Sequence, residues 1–214
     1  VQGDYEDVEN RKARMDRESK QYIEVINNFD KTNVNIIDFG GGCGGHYLTL
    51  KENTTKNFNY QVVELPRSFT KVSEEVKYYP SVELAVYDSP EGIDCLYSNA
   101  TIFLTKGTSA PENIYEFCKT FTDYIFLQRT IICEGENYNH FYTYEPTGKT
   151  YFSIISEKHL IEICDSCGYE LVFKKPIFTK FIVNSVRTNN FEFKVPEDLG
   201  TVCYKDFLFK KKEV

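Results

Sequence analysis

Asn35-Ile36-Ile37-Asp38-Phe39-Gly40-Gly41-Gly42-Cys43-Gly44-Gly45-His46 decides how the rest of the chain is read. Two β-branched residues run into an acid, and five of the seven residues after Asp38 are glycine. A strand that ends on a carboxylate and turns through glycine brings backbone N–H groups close to a ligand. Glycine accepts positive φ and carries no Cβ to stand in the way. A helix opening at Gly45-His46 would turn its first N–H groups toward the same space. An unliganded strand-to-helix turn needs one glycine rather than five, so the stretch points to a nucleotide-type ligand.

Working outward, Val34–Phe39 reads as the first strand and His46–Glu52 as a short helix. Upstream, residues 4–29 begin with alternating charge and end in an apolar stripe of Tyr22, Ile23, Val25, Ile26 and Phe29, an amphipathic helix leading into that strand. Downstream, Tyr60–Glu64 is a second strand that again ends on an acid. Arg67–Tyr79 then reads as a helix, Val82–Tyr87 as a third strand turning at Asp88-Ser89-Pro90, and Ile93–Ser98 as a fourth strand. Pro111–Phe121 is a helix with Ser109 as N-cap, and Tyr124–Leu127 a fifth strand. This alternation predicts an α/β fold with a parallel sheet covered on both faces. The rhythm then breaks. Ile131–Phe152 reads as a long aromatic loop, Ser156–Cys167 as a helix closed by Gly168, and Tyr169–Lys174 as a sixth strand. A hairpin around Thr188-Asn189-Asn190 and a last strand at Val202–Lys210 complete the chain. The expected organisation is an N-terminal helical segment over 1–33 and one domain over 34–214, with lid-like insertions near 131–152 and 176–200.

Bulk properties exclude several classes. The 214 residues, 41% apolar and including 16 Tyr and 17 Phe, are enough to bury a full core. A formal charge of −7 argues against a nucleic-acid partner, and the Lys174-Lys175 and Lys210-Lys211-Lys212 runs read as solvated strand ends. No apolar run reaches the roughly 20 residues that span a bilayer, and the N-terminus lacks a signal-peptide apolar region. Seven scattered cysteines fit reduced thiols, hence a cytoplasmic setting, with Cys164 and Cys167 as core residues rather than half a zinc site.

Gly40-x-Gly42-x-x-Gly45, with Glu64 following 19 residues later, satisfies a dinucleotide fingerprint. Asp38 stands where dinucleotide binders carry an apolar residue, which counts against a nicotinamide-dependent oxidoreductase. The same residues read Asp38-x-Gly40-x-Gly42-x-Gly44, which resembles the first motif of the class I S-adenosylmethionine-dependent methyltransferases. The closing segment through Lys205-Asp206-Phe207-Leu208-Phe209-Lys210 resembles that superfamily's antiparallel final hairpin. The likeness covers about residues 34–214. It implies a Rossmann-like α/β fold with a mostly parallel seven-stranded sheet, an antiparallel last strand and helices on both faces. Asp38-Phe39-Gly40-Gly41-Gly42, Val63-Glu64-Leu65-Pro66 and Ile154–Leu160 are also similar to a bacterial family of methyltransferase-like proteins found near surface-polysaccharide genes. The chain departs from that pattern at Gln128, where an acid is expected.

The resemblance implies S-adenosyl-L-methionine as cofactor. Asp38, Gly40, Gly41, Gly42 and Gly44 would hold its methionine end, with His46 beside its carboxylate. Glu64 would accept from both ribose hydroxyls, since a carboxylate only accepts and the diol has two hydrogens to give. Leu65, Asp88 and Ser89 would lie against the nucleoside, and Ser98 would complete the set at the end of the fourth strand. Methyl transfer to oxygen or nitrogen asks mainly for alignment and exclusion of water. A hydroxyl acceptor also needs a base, for which His140 is the candidate. Arg129 is the candidate to hold an anionic substrate group, and Tyr142 and Tyr144 could stack on a ring. No acid pair suggests a divalent metal; Asp94 and Asn99 alone do not make one. The expected activity is thus methylation of a small molecule, a sugar or nucleotide-sugar hydroxyl being the class that the narrower likeness suggests. The expectation includes no nucleic acid and no membrane span, and a homodimer could form through the 180–195 hairpin. The competing readings are a catalytically silent binding or interaction module and an NAD-dependent oxidoreductase.

Overall fold

In the computed structural model, residues 8–64, 72–104, 108–144, 148–177, 185–188, 191–194 and 196–213 are described, apart from the side chains of 8–15, 140–152 and 185–194. β1 (Asn33–Phe39) is an inner strand of the sheet, pairing in parallel with β2 (Asn57–Val63) on one side and β4 (Cys95–Asn99) on the other. β3 (Val76–Tyr79) closes the edge beside β2, and β5 (Tyr124–Cys133) follows β4, both in parallel. β11 (Val202–Lys211) runs antiparallel between β5 and β8 (Tyr169–Pro176). The order β3-β2-β1-β4-β5-β11-β8 is therefore mostly parallel with an antiparallel last strand, as the sequence predicts.

Alternation along the strands feeds two cores. Ile36, Cys95, Tyr97, Phe126 and Leu208 face one side, where they meet α1 (Val8–Asn27) and α2 (Gly45–Asn53). Ile37, Leu96, Ile125, Leu127, Phe207 and Phe209 face the other, against α3 (Val82–Tyr87), α4 (Ala110–Cys118) and α5 (Glu157–Ser166). α1 is anchored by Tyr22, Val25 and Ile26, with Phe29 just beyond its last residue, all buried. At about 1.5–3 kcal/mol for each fully buried large apolar side chain, this stripe fastens the C-terminal half of the helix. α4 opens with a full capping box, Ser109 and Glu112 exchanging hydrogen bonds, and Pro111 lies in its first turn.

Three sequence expectations are corrected. The segment read as a helix over Arg67–Tyr79 ends in strand β3, whose Val76 and Tyr79 pair with Tyr60 and Val63; residues 65–71 lie outside the described residues. The segment read as strand Val82–Tyr87 is helix α3 instead. Ser81 caps it, its side chain accepting from Leu84 N at 3.4 Å, and Val82, Ala85 and Val86 pack inward while Leu84 and Tyr87 are exposed. The spacing of those inward residues is helical, and a β-branched start concealed it. The expected aromatic loop over Ile131–Phe152 is also ordered: β5 continues to Cys133, and β6 (Tyr138–Tyr144) and β7 (Gly148–Ser156) form an antiparallel hairpin. β7 joins the sheet through Ile155 and Ser156 beside Ile132 and Cys133. A second hairpin, β9 (Ser185–Thr188) with β10 (Phe191–Lys194), lies in the predicted place.

Candidate functional site

The glycine turn lies at the carboxyl edge of the sheet, where open α/β folds bind ligands. Gly40 N–H donates to Val63 O at 2.8 Å, drawing the chain across the end of β2, and Gly44 N–H closes the turn onto Gly41 O at 2.9 Å. A Cβ on Gly40 would overlap the Thr101 side chain, and one on Gly41 would overlap the Asp38 carboxylate. These two glycines are needed for close approach within the protein. Gly42 is different. It has φ +57, and a Cβ there would meet nothing within 4 Å, so its open side faces free space. Its N–H donates to Glu64 Oε2 at 3.2 Å, which brings the acid after β2 onto the turn.

Asp38 is completely buried at the end of β1. Its Oδ2 accepts from Tyr60 OH at 2.8 Å and lies 3.0 Å from His46 Nδ1, while Oδ1 has no partner among the described residues. Burial works against a charge on His46, but the field of Asp38, its hydrogen bond and the field of Glu18 outweigh it, so the imidazole pKa is raised. The ring is still 33% exposed and stands edge-on to Tyr97 at 5.1 Å. Tyr22 from α1 stacks on Tyr97 at 3.9 Å. Burial first, and then the Asp38 charge, push the phenols of Tyr22, Tyr60 and Tyr97 well above their usual range, so they serve as donors.

The polar layer continues under α1 toward β5. Tyr97 OH donates to Gln128 Oε1 at 2.6 Å, and Asn99 Nδ2 donates to Tyr97 OH at 3.2 Å and to Glu18 Oε2 at 3.3 Å. Gln128 Nε2 reaches Glu18 O at 3.2 Å and Gln21 Oε1 at 3.3 Å. Arg129 has φ +51 and its Nε lies 3.6 Å from Glu18 Oε1.

Of the residues singled out in the sequence, the structure brings together Asp38, Gly40, Gly41, Gly42, Gly44, His46 and Glu64. Ser98, the penultimate residue of β4, lies next to Phe39, buried, with an Oγ that lacks a partner among the described residues. Asp88 and Ser89 are not brought to this edge. Because α3 runs back across the sheet, they lie at its amino end, in a cleft of about 450 Å³ with Asn33, Asn35, Asn57 and Asn59. There Asp88 pairs with Lys77 at 3.0 Å and with Tyr79 OH, and Ser89 Oγ accepts from Gln61 Nε2. Leu65 lies outside the described residues, as does the side chain of His140, whose backbone pairs with Phe152 in the β6–β7 hairpin. Sequence reading did not single out Glu18, Gln21, Tyr60 and Tyr97. The available signals were polar residues interrupting apolar strands, and Glu18 one turn before Tyr22 on the same face of α1.

An S-adenosyl cofactor fits these residues. The unpartnered Asp38 Oδ1, the open side of Gly42 and the carboxylate of Glu64 form a cradle that a Cβ at position 42 would fill. Among the described residues no group of three or more metal-ligating side chains is assembled, and no helix is long and apolar enough to cross a membrane.

No protein-family model matches the chain, and a search of curated proteins finds no relative. Solved structures do match. The N-terminal domain of EvdMO1, crystallised in the presence of S-adenosylhomocysteine and D-fucose, superposes with a TM-score of 0.59 at 11% identity, covering 98% of this chain and 85% of that one. The 1,6-didemethyltoxoflavin-N1-methyltransferase of Burkholderia thailandensis, with S-adenosylhomocysteine and 1,6-didemethyltoxoflavin bound, has a TM-score of 0.54 at 12% identity over 97% of this chain and 82% of that one. The fold is that of the class I methyltransferases. The same fold carries the [4+2]-cyclase SpnF, which matches with a TM-score of 0.55 at 11% identity over 93% of this chain and 82% of that one. At such identities the class I likeness establishes architecture, and the reaction has to be argued from the site.

Proposed function

We propose that the chain is an S-adenosylmethionine-dependent methyltransferase acting on a small molecule, with a sugar or nucleotide-sugar hydroxyl as acceptor. The observation that carries this reading is the union of three features at one edge. They are a glycine turn open at Gly42, a buried Asp38 with an unused oxygen, and Glu64 held against the turn. Asp38 and the backbone of 40–44 would hold the methionine end, His46 its carboxylate, and Glu64 the ribose hydroxyls. Bound there, the cofactor supplies a methyl group on a sulfonium whose departure leaves a neutral thioether. The protein's part is to align the acceptor, exclude water and move one proton. Arg129 and His140 are proposed for the acceptor side. The Glu18 carboxylate lies between two guanidiniums, its Oε1 3.6 Å from Arg129 Nε and 3.6 Å from Arg17. The seven free cysteines are in keeping with a cytoplasmic setting.

Calorimetric titration with S-adenosylhomocysteine, with NAD in parallel, tests the cofactor. Saturable binding of the first and silence with the second are expected; binding of NAD alone would make the chain an oxidoreductase. Glu64→Ala removes a charged acceptor from two hydroxyls, worth about 1.5–3 kcal/mol, so affinity should fall roughly 10- to 100-fold. Unchanged affinity would remove Glu64 from the site.

A further inference from the structure

The turn that follows α3 walls a cleft of about 450 Å³ at the amino end of the sheet, opposite the glycine turn and within the size range of ligand pockets. Its floor carries four asparagines in direct cross-strand register, Asn33 beside Asn57 and Asn35 beside Asn59. Side chains two apart share a face, and further along the same face Ile37 and Val63 are buried in the core that α3 covers. Asparagine is disfavoured in strands, and four of them leave this part of the sheet polar. Strand spacing and rise set the amides on a rectangle of roughly 4.8 by 6.6 Å, about the footprint of one sugar ring.

Hydrogen bonds fix how the amides are turned. Asn57 Nδ2 donates to Asn33 Oδ1 at 3.0 Å, and Asn35 Nδ2 donates to Gly92 O at 2.9 Å. The Asn33 amino group is left as a donor, and the Asn35 and Asn57 oxygens as acceptors. Asn59 is half-buried, and its amide has no hydrogen-bond partner among the described residues. Ser89 is 6% exposed; its Oγ accepts from Gln61 Nε2, and its own proton has no acceptor among the described residues. The charges lining the cleft are the Lys77–Asp88 pair, at 3.0 Å, and the Glu91 carboxylate, so no positive charge is left for a phosphate or carboxylate. Phe58 and Pro90 are the apolar contributors, too few for an apolar ligand, and Phe58 packs against the opposite core. Both floor strands are already paired on each side, which leaves no backbone edge for a peptide. Donors and acceptors interleaved on an uncharged floor match neighbouring hydroxyls, each of which both donates and accepts.

We propose that this cleft binds a neutral saccharide, one ring of which lies on the four amides and accepts from Asn59 and Ser89. The site is separate from the cofactor cradle. The length of β1, roughly 20 Å, lies between Asn33 at the cleft and the glycine turn after Phe39. Saccharide binding there stands on the cleft alone and holds whatever reaction the opposite edge performs.

The test is saturation-transfer NMR on the full chain with neutral oligosaccharides of glucose, galactose and mannose, and with glucuronate and glucose 6-phosphate as anionic counterparts. Each is measured with and without S-adenosylhomocysteine. Transfer to a neutral saccharide is expected, unaltered by S-adenosylhomocysteine, with shifts in the side-chain amide signals of Asn33, Asn35, Asn57 and Asn59. Asn59→Val separates binding from folding. Valine favours a strand, so the urea midpoint should stay level or rise, while saccharide affinity falls at least about fivefold. Silence with every neutral saccharide, preference for the anions, or transfer abolished by S-adenosylhomocysteine overturns the proposal. So does an Asn59→Val variant that keeps its affinity, or one that loses affinity and stability together. Failure of wild type to bind S-adenosylhomocysteine would sink the cofactor reading instead and leave the saccharide result standing.

Discussion

Gly42→Ala and Gly168→Ala form a matched pair that separates a folding cost from a binding cost. Both positions have positive φ, +57 and +87, and a Cβ at either meets no atom within 4 Å. Each alanine should therefore cost only the left-handed backbone penalty, about 1–2 kcal/mol. For a chain of this size that lowers the unfolding midpoint by roughly 2–4 °C per kcal/mol. The positions differ in what their free side faces. Gly168 follows α5, away from the glycine turn, whereas Gly42 lies between Asp38 and the Glu64 carboxylate. A methyl group there occupies the space through which backbone would approach the cofactor. Its loss of affinity for S-adenosylhomocysteine should reach at least about tenfold, or about 1.4 kcal/mol. Urea unfolding and calorimetry on both variants give the two quantities independently. Equal destabilisation with an affinity loss confined to Gly42→Ala is the expected outcome. If Gly42→Ala binds as tightly as wild type, the cofactor does not approach that face and the cradle is misassigned.

Two further predictions concern pH. A carboxyl whose folded pKa is about 6 against 3.8 unfolded prefers to be protonated in the folded state. Its cost is nil below about pH 4, grows as pH rises, and is complete above about pH 6, where it approaches about 3 kcal/mol. Asp206→Asn should thus gain stability over wild type in urea at pH 7.5 and little of it at pH 4.5; a pH-independent difference would refute the burial argument. His46 has the opposite sign. Its raised pKa means that its contribution to stability is full below about 6.5 and is lost as pH climbs through the folded value. Affinity for S-adenosylhomocysteine, whose carboxylate would meet the imidazolium, should fall over the same window, and His46→Asn should flatten that profile in calorimetry. An unchanged profile in the variant would assign the dependence to another group.

The parts of the site that were legible in sequence are those built locally. Val34–Phe39, the glycines and His46 are contiguous, and Glu64 announces itself as the acid after the next β-branched run. The caps of α4 and α5, Ser109 and Gly168, are likewise read from neighbours within a turn. Val76–Tyr87 was misread because a four-residue strand and a six-residue helix are both shorter than the window in which periodicity separates the two. Pro80-Ser81 before Val82 was the usable signal, a breaker followed by an N-cap. That one misreading moved Asp88 and Ser89 from the amino end of the sheet to the edge that carries the glycine turn. The layer beneath α1 could not be read in the same way. The contact of Arg129 with Asp206 spans 77 residues and that of Gln128 with Glu18 spans 110. Both depend on a bulge whose position is set by strand register and not by any local pattern.

This division between local and distant construction bears on what the chain does. The glycine turn, Asp38 and Glu64 come from two adjacent strands and a helix start, so any sequence that keeps those three short segments keeps the cradle. The polar layer beneath α1 draws on α1, β4, β5 and β11, and a single residue of register in β5 would turn Gln128 to the opposite face. Structures as different in chemistry as a toxoflavin N-methyltransferase and a [4+2]-cyclase share the architecture with this chain. A common cradle therefore cannot decide among reactions. Beneath α1, burial is opposed by unspent polarity at the sealed Gln21 Nε2 and Asn99 Oδ1, beside an Asp206 carboxylate held by a left-handed Arg129. An apolar layer at the same positions would pack under α1 without leaving buried groups unsatisfied. The polarity instead ties α1 to the β5 bulge, through Gln128 Nε2 on Glu18 O.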